Sequence, residues 1–219
     1  MAKKRAKGSI IYEILIVILA AVLVATLLYP KSVWKDIDHG SMLCEDRMSR
    51  IADAQGLYIS FHDTHNFDSS LVNVIEYISN DSIFGLDSTS ATLRDSFYVK
   101  LLVDYFRDYQ DLGTKIATDS AFNLIDVWRT DSLVAMQVDS TVDFMFASLY
   151  TCPTSGDTYR VEVVDTSALK ILKVFCPLDS TEIDSINSDF WFRMVGGGEV
   201  KNHGSIDNSD RSWEARKRK

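Results

Sequence analysis

The chain lacks the short motifs that carry most enzyme chemistry. Its ten glycines build no phosphate-cradling loop: the one run, Gly196-Gly197-Gly198, precedes Glu199 and not Lys followed by Ser or Thr. There is no G-x-S-x-G nucleophile turn and no H-E-x-x-H pair. No catalytic residue can be named, and the chain is expected not to be an enzyme. Positive charge is also scarce, with 23 Lys and Arg against 31 Asp and Glu and a net charge of −8. Binding to phosphate backbones needs clusters of Lys and Arg, so nucleic acid is not an expected partner. No internal repeat is present.

What is there is one long apolar run near the start. Lys3, Lys4, Arg5 and Lys7 come first, with no acid among them. Ile10 to Tyr29 is then apolar except for Tyr12, Glu13 and Thr26. Twenty helical residues rise about 30 Å, the thickness of a bilayer's hydrocarbon core. Residues 9–30 are therefore expected to form a transmembrane helix. Residues 1–8 would be a basic leader kept in the cytoplasm. A cleaved secretory signal has a shorter run and a small-residue cleavage site, which Leu27-Leu28-Tyr29-Pro30 does not offer. Glu13 is the odd residue. A carboxylate there either reaches the headgroups or meets a positive partner from another chain.

Gly8, Ser9, Glu13 and Pro30, with the core EILIVILAAVLVATLLYP, carry a resemblance. The stretch resembles the N-terminus of type IV pilins and of type II secretion pseudopilins. It is close over about residues 1–30 and looser to about 70. In those proteins a peptidase cuts after a Gly that ends a basic leader. A Glu stands fifth in the mature chain and often a Pro twenty-second; counted from Ser9, Glu13 and Pro30 fall there. Ser9 departs from the usual Phe or Met. The resemblance implies processing between Gly8 and Ser9 and a helix that packs with other such helices. It also implies a role for Glu13 in assembly, through a neighbouring subunit's α-amino group.

Beyond Pro30, apolar residues at Met42/Leu43, Met48, Ile51, Ala54, Leu57/Tyr58 and Phe61 keep helical spacing. One helix from about Ser9 to about Phe61 is expected, bent near Pro30 and Gly40. A second starts at Asp68-Ser69-Ser70, with Leu71, Val74, Ile75 and Ile78 on one face. A third covers Thr89 to Asp111. Asn123–Trp128 and Ser132–Val138 are strand candidates, and Asp139–Tyr150 reads equally as helix or strand. Thr158–Val164 alternates, turns at Asp165-Thr166-Ser167 and returns through Leu169–Phe175, a hairpin. Phe190–Val195 reads as a strand.

Three cysteines are available. Cys152-Pro153 and Cys176-Pro177 bracket the hairpin. They read either as two buried free thiols or, in an oxidising compartment, as a disulfide. The hairpin register places Cys176 opposite a residue near Gly156, so a bend at Pro153–Gly156 would have to close the gap. Cys-Pro-x-x-Gly supplies too few ligands for a zinc knuckle, and Cys44 has no base near it in sequence. His62 and His65 read as a surface pair, and His203 as part of a turn. The acids Asp179, Glu182, Asp184 and Asp189 lack a calcium-loop pattern. Neither a cofactor nor a metal is expected.

The expected organisation is a leader (1–8), a transmembrane helix (9–30), an amphipathic stem (31–66), an extracytoplasmic α+β domain (67–208) and a basic flexible tail (209–219). The fold class would be α+β and pilin-like. The expected protein is a single-pass subunit of the inner membrane, N-terminus in the cytoplasm and domain in the periplasm. It would assemble with itself or with pilin-like partners, the lipid bilayer being its other partner. The alternative is an anchored extracytoplasmic binding module that forms no filament.

Overall fold

The computed structural model describes residues 7–80, 88–166, 170–195, 199–208 and 210–217. Among them are eight helices and one four-stranded antiparallel sheet. The helices are α1 (Lys7–Phe61), α2 (Leu71–Ser79), α3 (Ser88–Asp108), α4 (Thr114–Trp128), α5 (Ser132–Ser148), α6 (Ser180–Ser188), α7 (Phe190–Val195) and α8 (Ser212–Lys217). The strands are β1 (Arg160–Asp165), β2 (Lys170–Phe175), β3 (Ser205–Asp207) and β4 (Asp210–Arg211). Two compact units result, Met1–Gly40 with Ser180–Lys201 and Ser41–Asp179 with Asn202–Lys219.

Among the described residues, no helix is long and apolar enough to cross a membrane. This corrects the expected transmembrane helix at 9–30. It equally corrects the pilin-like fold headed by such a helix and the single-pass placement in the inner membrane. α1 also continues through Pro30 and Gly40 as one 55-residue helix. The leader residues 1–6 lie outside the described residues.

In the first unit, Asn187 clamps the chain at Val200 in both directions, its Nδ2 donating to the Val200 carbonyl (3.0 Å) and its Oδ1 accepting from the Val200 N–H (2.9 Å). Trp34 lies 5.5 Å from Phe192 between ring centres. Phe190–Val195 is helix α7 and not a strand. Asp189 Oδ1 accepts from the Phe192 N–H at 2.9 Å, and this cap starts a helix where periodicity over six residues could not decide.

In the second unit, Met48, Ile51, Ala54 and Tyr58 form the buried stripe of α1. Leu71, Val74, Ile75 and Ile78 of α2 are buried, and Ser70 caps that helix. The strand candidates 123–128 and 132–138 are helical, in α4 and α5. Asp131 caps α5 through bonds to the N–H groups of Leu133 and Val134. Val138, Val142, Met145 and Phe146 then fall on its buried face, so tertiary packing overrides the β-branched composition. Ion pairs tie α1 to α3: Arg50 to Asp104 (2.5 Å), Arg107 to Asp46 (2.6 Å) and Lys100 to Asp53 (2.9 Å).

The hairpin expected between 158 and 175 is present, with Arg160 opposite Phe175 and Asp165 opposite Lys170. β3 adds to β2, and β4 to β3. At three and two residues, these strands are too short to show alternation. The stretch expected to be a flexible tail holds β4 and α8, and Trp213 within it is buried. An indole that leaves water gains on the order of 2–3 kcal/mol, enough to anchor a short terminal helix.

Candidate metal centre

Four turns and termini of the second unit converge on one buried point. Cys44 sits on α1, one turn before Met48 on the same buried stripe. Cys152 opens a tight reversal after α5. Its N–H donates to the Asp157 carbonyl (2.8 Å), and its carbonyl accepts from the Gly156 N–H (2.9 Å). Gly156 has φ +79°, a left-handed conformation that costs glycine nothing and strains other residues. The chain on either side stays paired, Tyr159 donating its N–H to the Tyr150 carbonyl at 3.1 Å. Cys152 is thereby brought back towards the end of the hairpin.

Cys176 follows β2, and its N–H donates to the Gly204 carbonyl at 3.2 Å. That bond sets His203 beside it. Asn202 holds the His203 turn from both sides, donating from Nδ2 to the Leu178 carbonyl (2.6 Å) and accepting at Oδ1 from the Gly204 N–H (2.8 Å).

All four residues are buried, and their ligand atoms lie within 4.8 Å of one another. Cys152 Sγ is 3.7 Å from Cys44 Sγ and 4.0 Å from His203 Nδ1. Cys176 Sγ is 3.4 Å from His203 Nδ1. A tetrahedral zinc ion with Zn–S about 2.3 Å and Zn–N about 2.0–2.1 Å separates two sulfurs by about 3.8 Å, and sulfur from nitrogen by about 3.5 Å. The S–S spacing is close to the first value, and the two S–N spacings lie on either side of the second. All three cysteines are free thiols, including Cys152 and Cys176, the pair read as a candidate disulfide.

The donors perturb one another strongly. Hydrogen bonds with Cys152 and Cys176, then burial, push the Cys44 thiol up. Hydrogen bonds from Cys176 and Cys44 pull Cys152 down. Burial lowers His203, but its hydrogen bonds with Cys152 and Cys176 outweigh that and raise it to about 9. These opposed shifts describe donors crowded around one point and competing for few protons. A divalent cation at that point would replace the protons, since thiolates and neutral imidazole are its ligands. Three soft sulfurs and one imidazole suit zinc and not calcium or magnesium, which take oxygen. Four protein ligands leave no position open for substrate, which is the pattern of a structural site.

The surroundings complete it. Tyr159, itself buried, donates its hydroxyl to Cys44 Sγ at 3.3 Å. Arg47, next to the Cys44 turn of α1, donates to the Thr151 carbonyl (2.6 Å) and to the Tyr109 hydroxyl (2.8 Å). Three thiolates around a divalent ion would leave one negative charge, and the Arg47 guanidinium, whose field reaches Tyr159, would oppose it.

The other residues singled out in the sequence lie elsewhere. Gly8, Ser9, Glu13 and Pro30 are in the helical part of α1 that belongs to the first unit. His62 stacks on Tyr58 with ring centres 4.4 Å apart, and His65 Nδ1 meets the Ile59 carbonyl at 3.0 Å, so both finish α1. Cys44 and His203 complete the centre with Cys152 and Cys176, and sequence reasoning assigned neither as a ligand. Cys44 is 108 residues from Cys152, a separation that no ligand-spacing pattern spans. The available signal was the count: two Cys-Pro turns, one His-Gly turn and one further cysteine make a Cys3His set. No protein-family model matches the chain, and neither the curated proteins nor the solved structures hold a match to it.

Proposed function

We propose that the protein is a non-catalytic structural subunit whose larger unit is clasped by zinc in the Cys44–Cys152–Cys176–His203 centre. The carrying observation is the closed, buried Cys3His donor set at tetrahedral spacing. The ion joins α1 to the end of the sheet, two regions far apart in sequence. Structural zinc sites contribute about 10–16 kcal/mol in small domains, comparable with the whole net stability of a domain, about 5–15 kcal/mol. The clasp is therefore large enough to decide whether this unit folds. Metal analysis of the full chain purified without chelator tests it. One zinc per chain is expected; a chain that is folded, metal-free and indifferent to added zinc would overturn the proposal.

A second feature supports the subunit reading. Large apolar side chains from Ile11 to Val24 of α1 are 48–68% exposed. An apolar helix surface of that extent calls for cover. Cover by the same helix of other subunits accords with the resemblance to pilins and pseudopilins, with Glu13 as the residue that specifies pairing. Glu13→Ala should then lower the assembled fraction in sedimentation while leaving the zinc content unchanged. Unaltered assembly of that variant would remove Glu13 from the reading.

A further inference from the structure

We propose that Tyr159 is the positioning residue that sets how firmly and how inertly the centre holds its metal; this rests on the zinc reading above. Its hydroxyl reaches Cys44 Sγ at 3.3 Å. Both side chains are buried, Cys44 at 0% exposure and Tyr159 at 7%, so water does not compete for that sulfur. A donor outside the ligand shell draws charge from a metal-bound thiolate, fixes its orientation and lowers its nucleophilicity. Tyr159 is well placed to do this. It lies just before β1, its backbone is paired with Tyr150, and its ring spans from the sheet to α1. Cys44 is the ligand that needs such help. It is the one donor contributed by α1, whereas Cys152 is held within its own reversal and Cys176 is hydrogen-bonded to the turn that carries His203. The hydroxyl thus completes the link between helix and sheet that the metal makes.

The test uses the full chain loaded with cobalt in place of zinc, and the Tyr159→Phe variant, which keeps the ring and removes only the donor. Metal release is started with iodoacetamide. A thiolate sulfur bonds to the methylene carbon, the carbon–iodine bond breaks and iodide leaves with its electron pair. The thioether left behind is a weaker ligand, and a coloured chelator takes the cobalt. Tyr159→Phe should release metal about tenfold faster and bind it about tenfold more weakly. Its sulfur-to-cobalt charge-transfer band should move to lower energy, because the thiolate has become more electron-rich. Peptide mapping should find the extra alkylation at Cys44. A loaded Tyr159→Phe chain with an unmoved band and an unchanged release rate would overturn the role. So would a variant that takes up no cobalt, because tuning leaves all four ligands in place. Absence of the band in the wild-type chain would instead remove the metal reading itself.

Discussion

Replacing Cys44 by Ser changes one atom and tests the clasp directly. The serine hydroxyl is shorter, harder and not ionised near neutrality, so it does not replace a thiolate on zinc. If four ligands share about 10–16 kcal/mol of structural zinc energy, one ligand carries about 2.5–4 kcal/mol. The buried site adds to this, because Cys44 has no solvent access and a hydroxyl there trades a hydrogen bond from Tyr159 for a poorly matched one. For a unit of this size about 1 kcal/mol moves the melting temperature by about 2–4 °C, so a loss of about 5–16 °C is expected. The assay is thermal unfolding of wild type and Cys44→Ser by circular dichroism, each with and without chelator. The mutation removes one of the four ligand bonds that chelation removes, so their effects should not add. Wild type should lose more on chelation than on mutation, because chelation removes all four ligand bonds, and the variant should lose less on chelation than wild type does. Equal losses on chelation in both chains would refute the reasoning, as would a variant that melts with the wild type.

Two further outcomes follow from groups outside the centre. Burial, with help from Asp104 and Asp108, pushes Asp46 up to about 6 against the pull of Arg107. A raised carboxyl pKa stabilises the fold fully below the ordinary value near 3.8 and loses that contribution as pH rises through about 6. The loss is on the order of 2–3 kcal/mol. Urea unfolding should therefore show Asp46→Asn gaining on wild type between pH 4 and pH 7. A variant less stable than wild type at pH 7 would mean that the 2.6 Å pair with Arg107 outweighs burial. Asp131→Ala removes a cap that accepts two N–H bonds at the start of α5 and should cost about 1 kcal/mol in the same assay; no change would place the start of α5 under tertiary control alone.

The sequence by itself determined the elements whose signal is local. The stripe Met48, Ile51, Ala54 and Tyr58, the Ser70 cap with its four apolar residues, and the alternation of Tyr159, Val161 and Val163 each lie within a few turns or pairs of chain. Their outcome depends on backbone geometry and on burial of one face. Where the signal was short or mixed, tertiary contacts decided. Val134, Val138 and Val142 favour strands in isolation, yet they sit in a helix because Asp131 starts one and Phe97 and Tyr98 receive its far end. The tail residue Trp213 is buried against a sheet whose last two strands are too short to read. The apolar run of α1 shows the opposite outcome: its hydropathy reads as a membrane span, yet among the described residues no helix is long and apolar enough to cross a membrane. The metal centre was beyond local reading for a geometric reason. A tetrahedral site constrains distances of a few ångströms and is indifferent to separation along the chain. Only the fold, bringing a helix, a glycine-dependent reversal, a strand end and an asparagine-held turn to one point, makes ligands of Cys44 and His203.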